Sequence, residues 1–75
     1  MNNKRRKRIE NIISKLEDLS IEIEEVMNEE QEAFDNLPEP IQCSDRGEQM
    51  EGYISSLDYA MNYVSDAISS LEEIE

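Results

Sequence analysis

Histidine and tryptophan are absent from this 75-residue chain, and cysteine occurs once, as Cys43. Without histidine the chain lacks the commonest metal ligand and the commonest general base. A single cysteine excludes an internal disulfide and fits a reducing compartment. Serine and tyrosine are present, but carboxylates are the bases that could activate them. We therefore predict no catalytic residue, no metal site and no cofactor.

Proline, glycine and long apolar runs are also scarce. The two prolines, Pro38 and Pro40, lie in one short segment, and the chain has two glycines. The basic start Lys4 to Arg8 is followed by apolar residues that polar ones interrupt, which is unlike a signal peptide. No run approaches the roughly 20 apolar residues of a membrane span. We expect a cytoplasmic protein with no membrane contact.

Positively charged residues are also few. The chain has 7 Lys and Arg and 19 Asp and Glu, which gives a net charge of −12. From Glu17 to Asp35 the chain has no Lys or Arg. One interpretation is that this acidic surface mimics a nucleic-acid backbone and binds a basic cleft; the other is a solvated helix face. The candidate partner-binding residues of this surface are Glu22, Glu25, Glu29 and Glu32.

The basic run itself has no interleaved aromatic residues, and we expect no direct nucleic-acid binding. In a hairpin it would lie beside the acidic C-terminal residues Glu72, Glu73 and Glu75. Exposed ion pairs of this kind contribute about 0–1 kcal/mol each. They would therefore favour one alignment of the two ends more than they would stabilise the fold.

What the sequence does contain is helical periodicity over most of its length. Apolar residues recur at alternating spacings of three and four, which predicts two long coiled-coil-like helices. We predict a single domain over residues 1–75, with helices at about 4–36 and 45–74. The predicted core positions of the first helix are Ile9, Ile12, Leu16, Leu19, Ile23, Val26, Glu30, Ala33 and Leu37. Those of the second are Met50, Tyr53, Leu57, Ala60, Val64, Ala67, Leu71 and Ile74.

The connection is predicted at about 37–44. Pro38 disfavours the helical conformation at Leu37, so the first helix should end near Asn36. A tight turn fits between Pro40 and Cys43. The second helix should start at Asp45, which has Glu48 three residues later in capping-box spacing, or at the alternative cap Ser44.

Two helices joined by a short loop pack antiparallel, so the fold class is all-α, an antiparallel helical hairpin. Aligning the core positions places Leu19 at the level of Val64 and Val26 at the level of Leu57. The polar core residue Glu30 then lies opposite Tyr53. We predict a hydrogen bond from the Tyr53 hydroxyl to the Glu30 carboxylate, since a buried polar group needs a partner.

Two packed helices of this size leave apolar surface exposed. We therefore predict a homodimer of hairpins that forms a four-helix bundle, with a heteromeric partner as the alternative. The surface assigned to this contact flanks the core positions of both helices. Its residues are Ile13, Met27, Phe34, Ile54, Met61 and Ile68.

The outer face of the second helix has little charge and two tyrosines one turn apart. Exposed tyrosines among short polar residues are typical of protein-binding surfaces. The alternative is that both rings cover core or dimer contacts. The candidate binding residues here are Tyr59, Asn62, Tyr63 and Asp66.

The segments EEQEAFDNLPE (29–39) and SDRGEQME (44–51), with the basic start and the acidic tail, resemble a group of small proteins of unassigned function. Phages and mobile elements of Gram-positive bacteria encode these proteins. Pro40 and Cys43 depart from the loop pattern of the group, and the group supplies no active residue to transfer. The resemblance implies a phage-borne accessory protein that acts in the host cytoplasm on a host defence protein.

These observations favour a non-enzymatic interaction protein, an inhibitor of a host anti-phage defence protein that uses its acidic or its tyrosine-bearing helix face. The alternative is a structural or assembly coiled-coil protein of a phage or mobile element.

Overall fold

Two long helices form most of the chain in the computed structural model, which describes residues 1–74. Helix α1 spans Asn3–Asp35, the short helix α2 spans Glu39–Gln42, and helix α3 spans Asp45–Glu72. The long helices α1 and α3 pack against each other as a hairpin. The all-helical hairpin that the periodicity predicts is confirmed. The hairpin measures 58 × 15 × 11 Å.

The start of α1 follows from its capping residue. Asn2 is the N-cap, and its side chain accepts a hydrogen bond of 2.9 Å from the backbone N–H of Arg5. This bond satisfies one of the N–H groups that the first turn of a helix leaves free. At the other end, α1 stops at Asp35, before Pro38, as predicted.

Helix α2 occupies the predicted connection and is the tight turn expected around Pro40. It packs against the start of α3. The Nε2 atom of Gln42 donates a 3.0 Å hydrogen bond to the carbonyl oxygen of Phe34 at the end of α1, which also accepts one from the backbone N–H of Leu37. This side chain therefore joins α2 to α1 across the corner.

Helix α3 starts at Asp45 with Ser44 as its N-cap, so the alternative cap is the one found. Ser44 makes no side-chain capping bond to α3. Its hydroxyl instead donates to the carbonyl oxygen of Ile41, in α2. The hydroxyl thus belongs to the end of α2 rather than to the beginning of α3.

The helices are rotated relative to the prediction, and this is the main correction. Three predicted core residues of α1 lie on the surface: Ile12 is 45% exposed, Leu19 is 49% exposed and Val26 is 50% exposed. The residues assigned to the dimer contact, which flank the predicted core positions, are half-buried in the single hairpin. They are Ile13, Met27, Phe34, Ile54, Met61 and Ile68.

The cause of the rotation lies in the composition of α3. Burying Ile54, Met61 and Ile68 removes more aliphatic surface from water than burying Tyr53 and Ala67 in their place would. In an antiparallel pair of helices, equivalent heptad positions of the two helices lie on the same side of the contact. A rotation of one helix therefore requires the matching rotation of the other. When α3 turns its larger aliphatic residues inward, α1 must turn Ile13 and Met27 inward as well.

The rotation also removes the predicted contact between Tyr53 and Glu30. Tyr53 is exposed and Glu30 is half-buried. No hydrogen bond joins the two side chains within residues 1–74. Ile54 takes the inward position next to Tyr53, so the hydroxyl is left in water, where it needs no protein partner.

Candidate interaction surface

One side of the hairpin carries an apolar groove between α1 and α3. Leu19 and Val26 form one wall and Leu57 and Val64 form the other, with Ile23 at the base and Glu22 at the rim. Leu19 with Val64 and Val26 with Leu57 are the levels that the predicted alignment gives. We call the surface made by Ile12, Leu19 and Val26 of α1 with Leu57 and Val64 of α3 the open face.

The open face continues toward the N-terminus. Ile12 is seven residues before Leu19 and therefore lies in line with it along α1. It lines a second groove with Arg5 and Arg8. The apolar surface thus runs from the middle of the hairpin to a basic end.

The other side of the hairpin is different. The residues that border the helix contact there are mostly charged and all exposed. They are Glu10, Glu17 and Glu24 on α1 and Glu51, Asp58 and Glu72 on α3. Near the free ends of the helices, Arg6, Glu10 and Glu72 line a groove together with four apolar residues, which are Ile9, Ile13, Leu71 and Ile74. The hairpin therefore has one apolar side and one acidic side.

The groove with Arg6 and Glu72 also bears on the basic start. It places one residue of the basic run and one of the acidic tail in the same depression, as the hairpin predicts. Glu75, the last residue assigned to this contact, lies outside the described residues.

The eight candidate partner-binding residues are all exposed, but they do not form one cluster. Glu22 borders the open face, and Glu29 lies seven residues further along the same edge of α1. Tyr63, next to Val64, borders the open face from α3 and is 71% exposed. The other five point away from it, on the outer surfaces of the two helices. They are Glu25, Glu32, Tyr59, Asn62 and Asp66.

Tyr59 and Tyr63 could either form a protein-binding surface or cover core contacts. Within the single chain they do not cover the core, because both are exposed. Both rings are free of the hairpin interior. They are available to a partner and contribute little to the packing of α1 on α3.

No group of three Cys, Asp or Glu side chains within residues 1–74 is arranged to hold a metal ion. Nor is any helix in this part of the chain both long enough and apolar enough to cross a membrane. Cys43 is exposed at the end of α2 with a free thiol.

Sequence reasoning assigned Ile12, Leu19 and Val26 to the interior and so missed the open face. The signal that could have found it is in α3. Two of the predicted core positions there are Ala60 and Ala67, whereas their neighbours Met61 and Ile68 are large.

Comparisons of the chain with protein families, with curated proteins and with solved structures found no match.

Proposed function

We propose that this chain is a non-enzymatic protein–protein interaction module that self-associates through its open face. The observation that carries the proposal is the row of Ile12, Leu19 and Val26, which are about half exposed along two successive grooves. Contiguous apolar surface of this kind marks a site of association. A second hairpin on this face would complete a four-helix bundle.

The size of the exposed surface supports the same proposal. The hairpin exposes 5878 Å², whereas a compact monomer of this mass exposes about 4,700 Å². The excess is roughly 1,200 Å², and a stable dimer removes about 800 Å² per partner. In residues 1–74, Met50 is the one buried hydrophobic residue. Association would therefore provide the enclosed core that the single hairpin does not form.

The outer surfaces are then left for another protein. Glu25 and Glu32 on α1 and Tyr59 on α3 point away from the open face, so a dimer would still present them. In line with the resemblance described above, we propose that the partner is a host protein of an anti-phage defence system and that binding inhibits it.

Self-association is tested by placing a polar residue on the open face. Leu19→Gln should convert a dimer to a monomer in sedimentation equilibrium, because it puts an amide at the centre of the apolar row. Ile21→Gln is the matched control, since Ile21 is 55% exposed on the outer surface of α1. It should leave the dimer intact. A wild-type chain that is monomeric at all accessible concentrations would refute the proposed association.

Partner binding is tested by capture from host lysate at low and high salt. A Glu25→Lys/Glu32→Lys variant should lose a partner held by charge, and high salt should release that partner. If the tyrosine surface holds the partner, the wild-type chain should retain it at both salt concentrations. The Tyr59→Ala variant should then lose it. Recovery of nothing except phage structural proteins would instead support an assembly role and contradict the inhibitor.

A further inference from the structure

The edge of α1 beside the open face carries four charged residues in one line. They are seven residues apart, which places them on the same side of the helix. In chain order they are Arg8, Lys15, Glu22 and Glu29. Arg8 lines a groove with Ile12, and Glu22 lines the next one with Leu19. The edge of the apolar surface is therefore positive in its first half and negative in its second.

We propose that two copies of the chain pair through their open faces with α1 against α1 in opposite directions, about a two-fold axis at Leu19. This inference rests on the self-association proposed above and specifies its geometry. In such a pair Leu19 meets the partner's Leu19, and Ile12 meets the partner's Val26. Lys15 then faces the partner's Glu22, and Arg8 faces the partner's Glu29.

The position of Leu19 favours this arrangement. Leu19 is the middle residue of Asn3–Asp35, so an axis there overlaps the two α1 helices over their full length. Each contact occurs twice in a two-fold pair, so the four charged residues of each chain give four opposite-charge pairs. Charges that border an apolar contact between helices select partner orientation.

The competing arrangement has both loops at the same end. It places α1 against α3 of the second copy, because the two hairpins are then related by an axis along their length. The corresponding edge of α3 carries Ser56, Tyr63 and Ser70, which have no charge. The four charged residues of α1 would lose their opposite-charge partners, so the charge pattern favours opposed loops.

Charge exchange tests the pairing. Lys15→Glu should raise the dimer dissociation constant by roughly 2- to 30-fold, because it sets two like-charge contacts where two favourable ones stood. Glu22→Lys should weaken the dimer similarly, and the double variant Lys15→Glu/Glu22→Lys should return it close to wild type. Glu24→Lys is the matched control for Glu22→Lys, since Glu24 borders the opposite side of the hairpin. Failure of the double variant to recover affinity, with both singles weakened, would overturn the pairing.

Crosslinking tests the orientation separately from the association. In a Cys43→Ser background, Leu19→Cys should crosslink two copies with a short thiol-specific reagent, and Ile21→Cys should not. A mixture of Leu19→Cys chains with Val64→Cys chains should give no mixed crosslink. A chain that sediments as a dimer but gives the mixed product and no Leu19 product would overturn this inference while leaving the proposed self-association standing. A monomer by sedimentation would overturn both.

Discussion

Gln42 and Gly47 lie at the corner at which the chain reverses direction. Gln42 bonds to the end of α1 through its amide. Gly47 is buried, and a Cβ atom there would overlap the backbone carbonyl of Gln42. Glycine is needed at this position because α2 approaches α3 at backbone distance.

The two glycines of the chain allow a matched test of this close approach. Gly47→Ala should destabilise the hairpin by about 1–3 kcal/mol, because the new methyl group displaces backbone. Gly52 has open space where its Cβ would be, so Gly52→Ala should stabilise α3 by about 0.5–1 kcal/mol. Urea unfolding followed by circular dichroism measures both. Equal effects of the two substitutions would contradict the close contact at the corner.

At the scale of the elements, α1 and α3 each have three lines of apolar residues, and two of them can face inward. The line of Leu16 and Ile23 in α1, and that of Leu57 and Val64 in α3, border the contact in either case. What remains to be decided is whether Ile12 or Ile13 of α1 faces inward, and whether Tyr53 or Ile54 of α3 does. The structure takes Ile13 and leaves Ile12 on the open face.

These two adjacent isoleucines provide a test in which the chemistry of the substitution is constant. Ile13→Ala should lower the free energy of unfolding by about 1–2 kcal/mol at every protein concentration, because the side chain packs inside the hairpin. Ile12→Ala should have little effect in dilute solution and should remove part of the gain in stability at high concentration. The measurement is urea unfolding over a range of concentrations. A larger loss at Ile12 in dilute solution would show that the helices are not rotated as described.

At the scale of the whole molecule, the hairpin is a rod. Its radius of gyration is 17.3 Å, whereas a compact domain of this length has a radius of about 11 Å. A rod has much surface for its volume, and here the apolar part of that surface is concentrated on one side. Two hairpins that pair side by side can cover this apolar surface, and the pair need not be longer than one hairpin.

Small-angle X-ray scattering of the dimer can therefore distinguish two ways of pairing. Face-to-face hairpins should keep a largest dimension close to the 58 Å of one hairpin while the mass doubles. A dimer that exchanges helices would open each chain at the corner and extend to roughly 100 Å, at 1.5 Å per helical residue. The shorter dimension is expected, and the longer one would contradict dimerisation through the open face.

The sequence by itself determined the two long helices, their limits to within a residue or two, and the level at which they meet. Heptad spacing, Pro38 and the residues around Ser44 are local signals, and each acts on its own segment. The tertiary structure decided which line of each helix faces inward, because α3 buries its larger aliphatic residues and α1 rotates with it, which leaves Ile12, Leu19 and Val26 about half exposed. It also decided the contact of Gln42 with Phe34, since a side-chain bond across a corner depends on distances that no local pattern encodes.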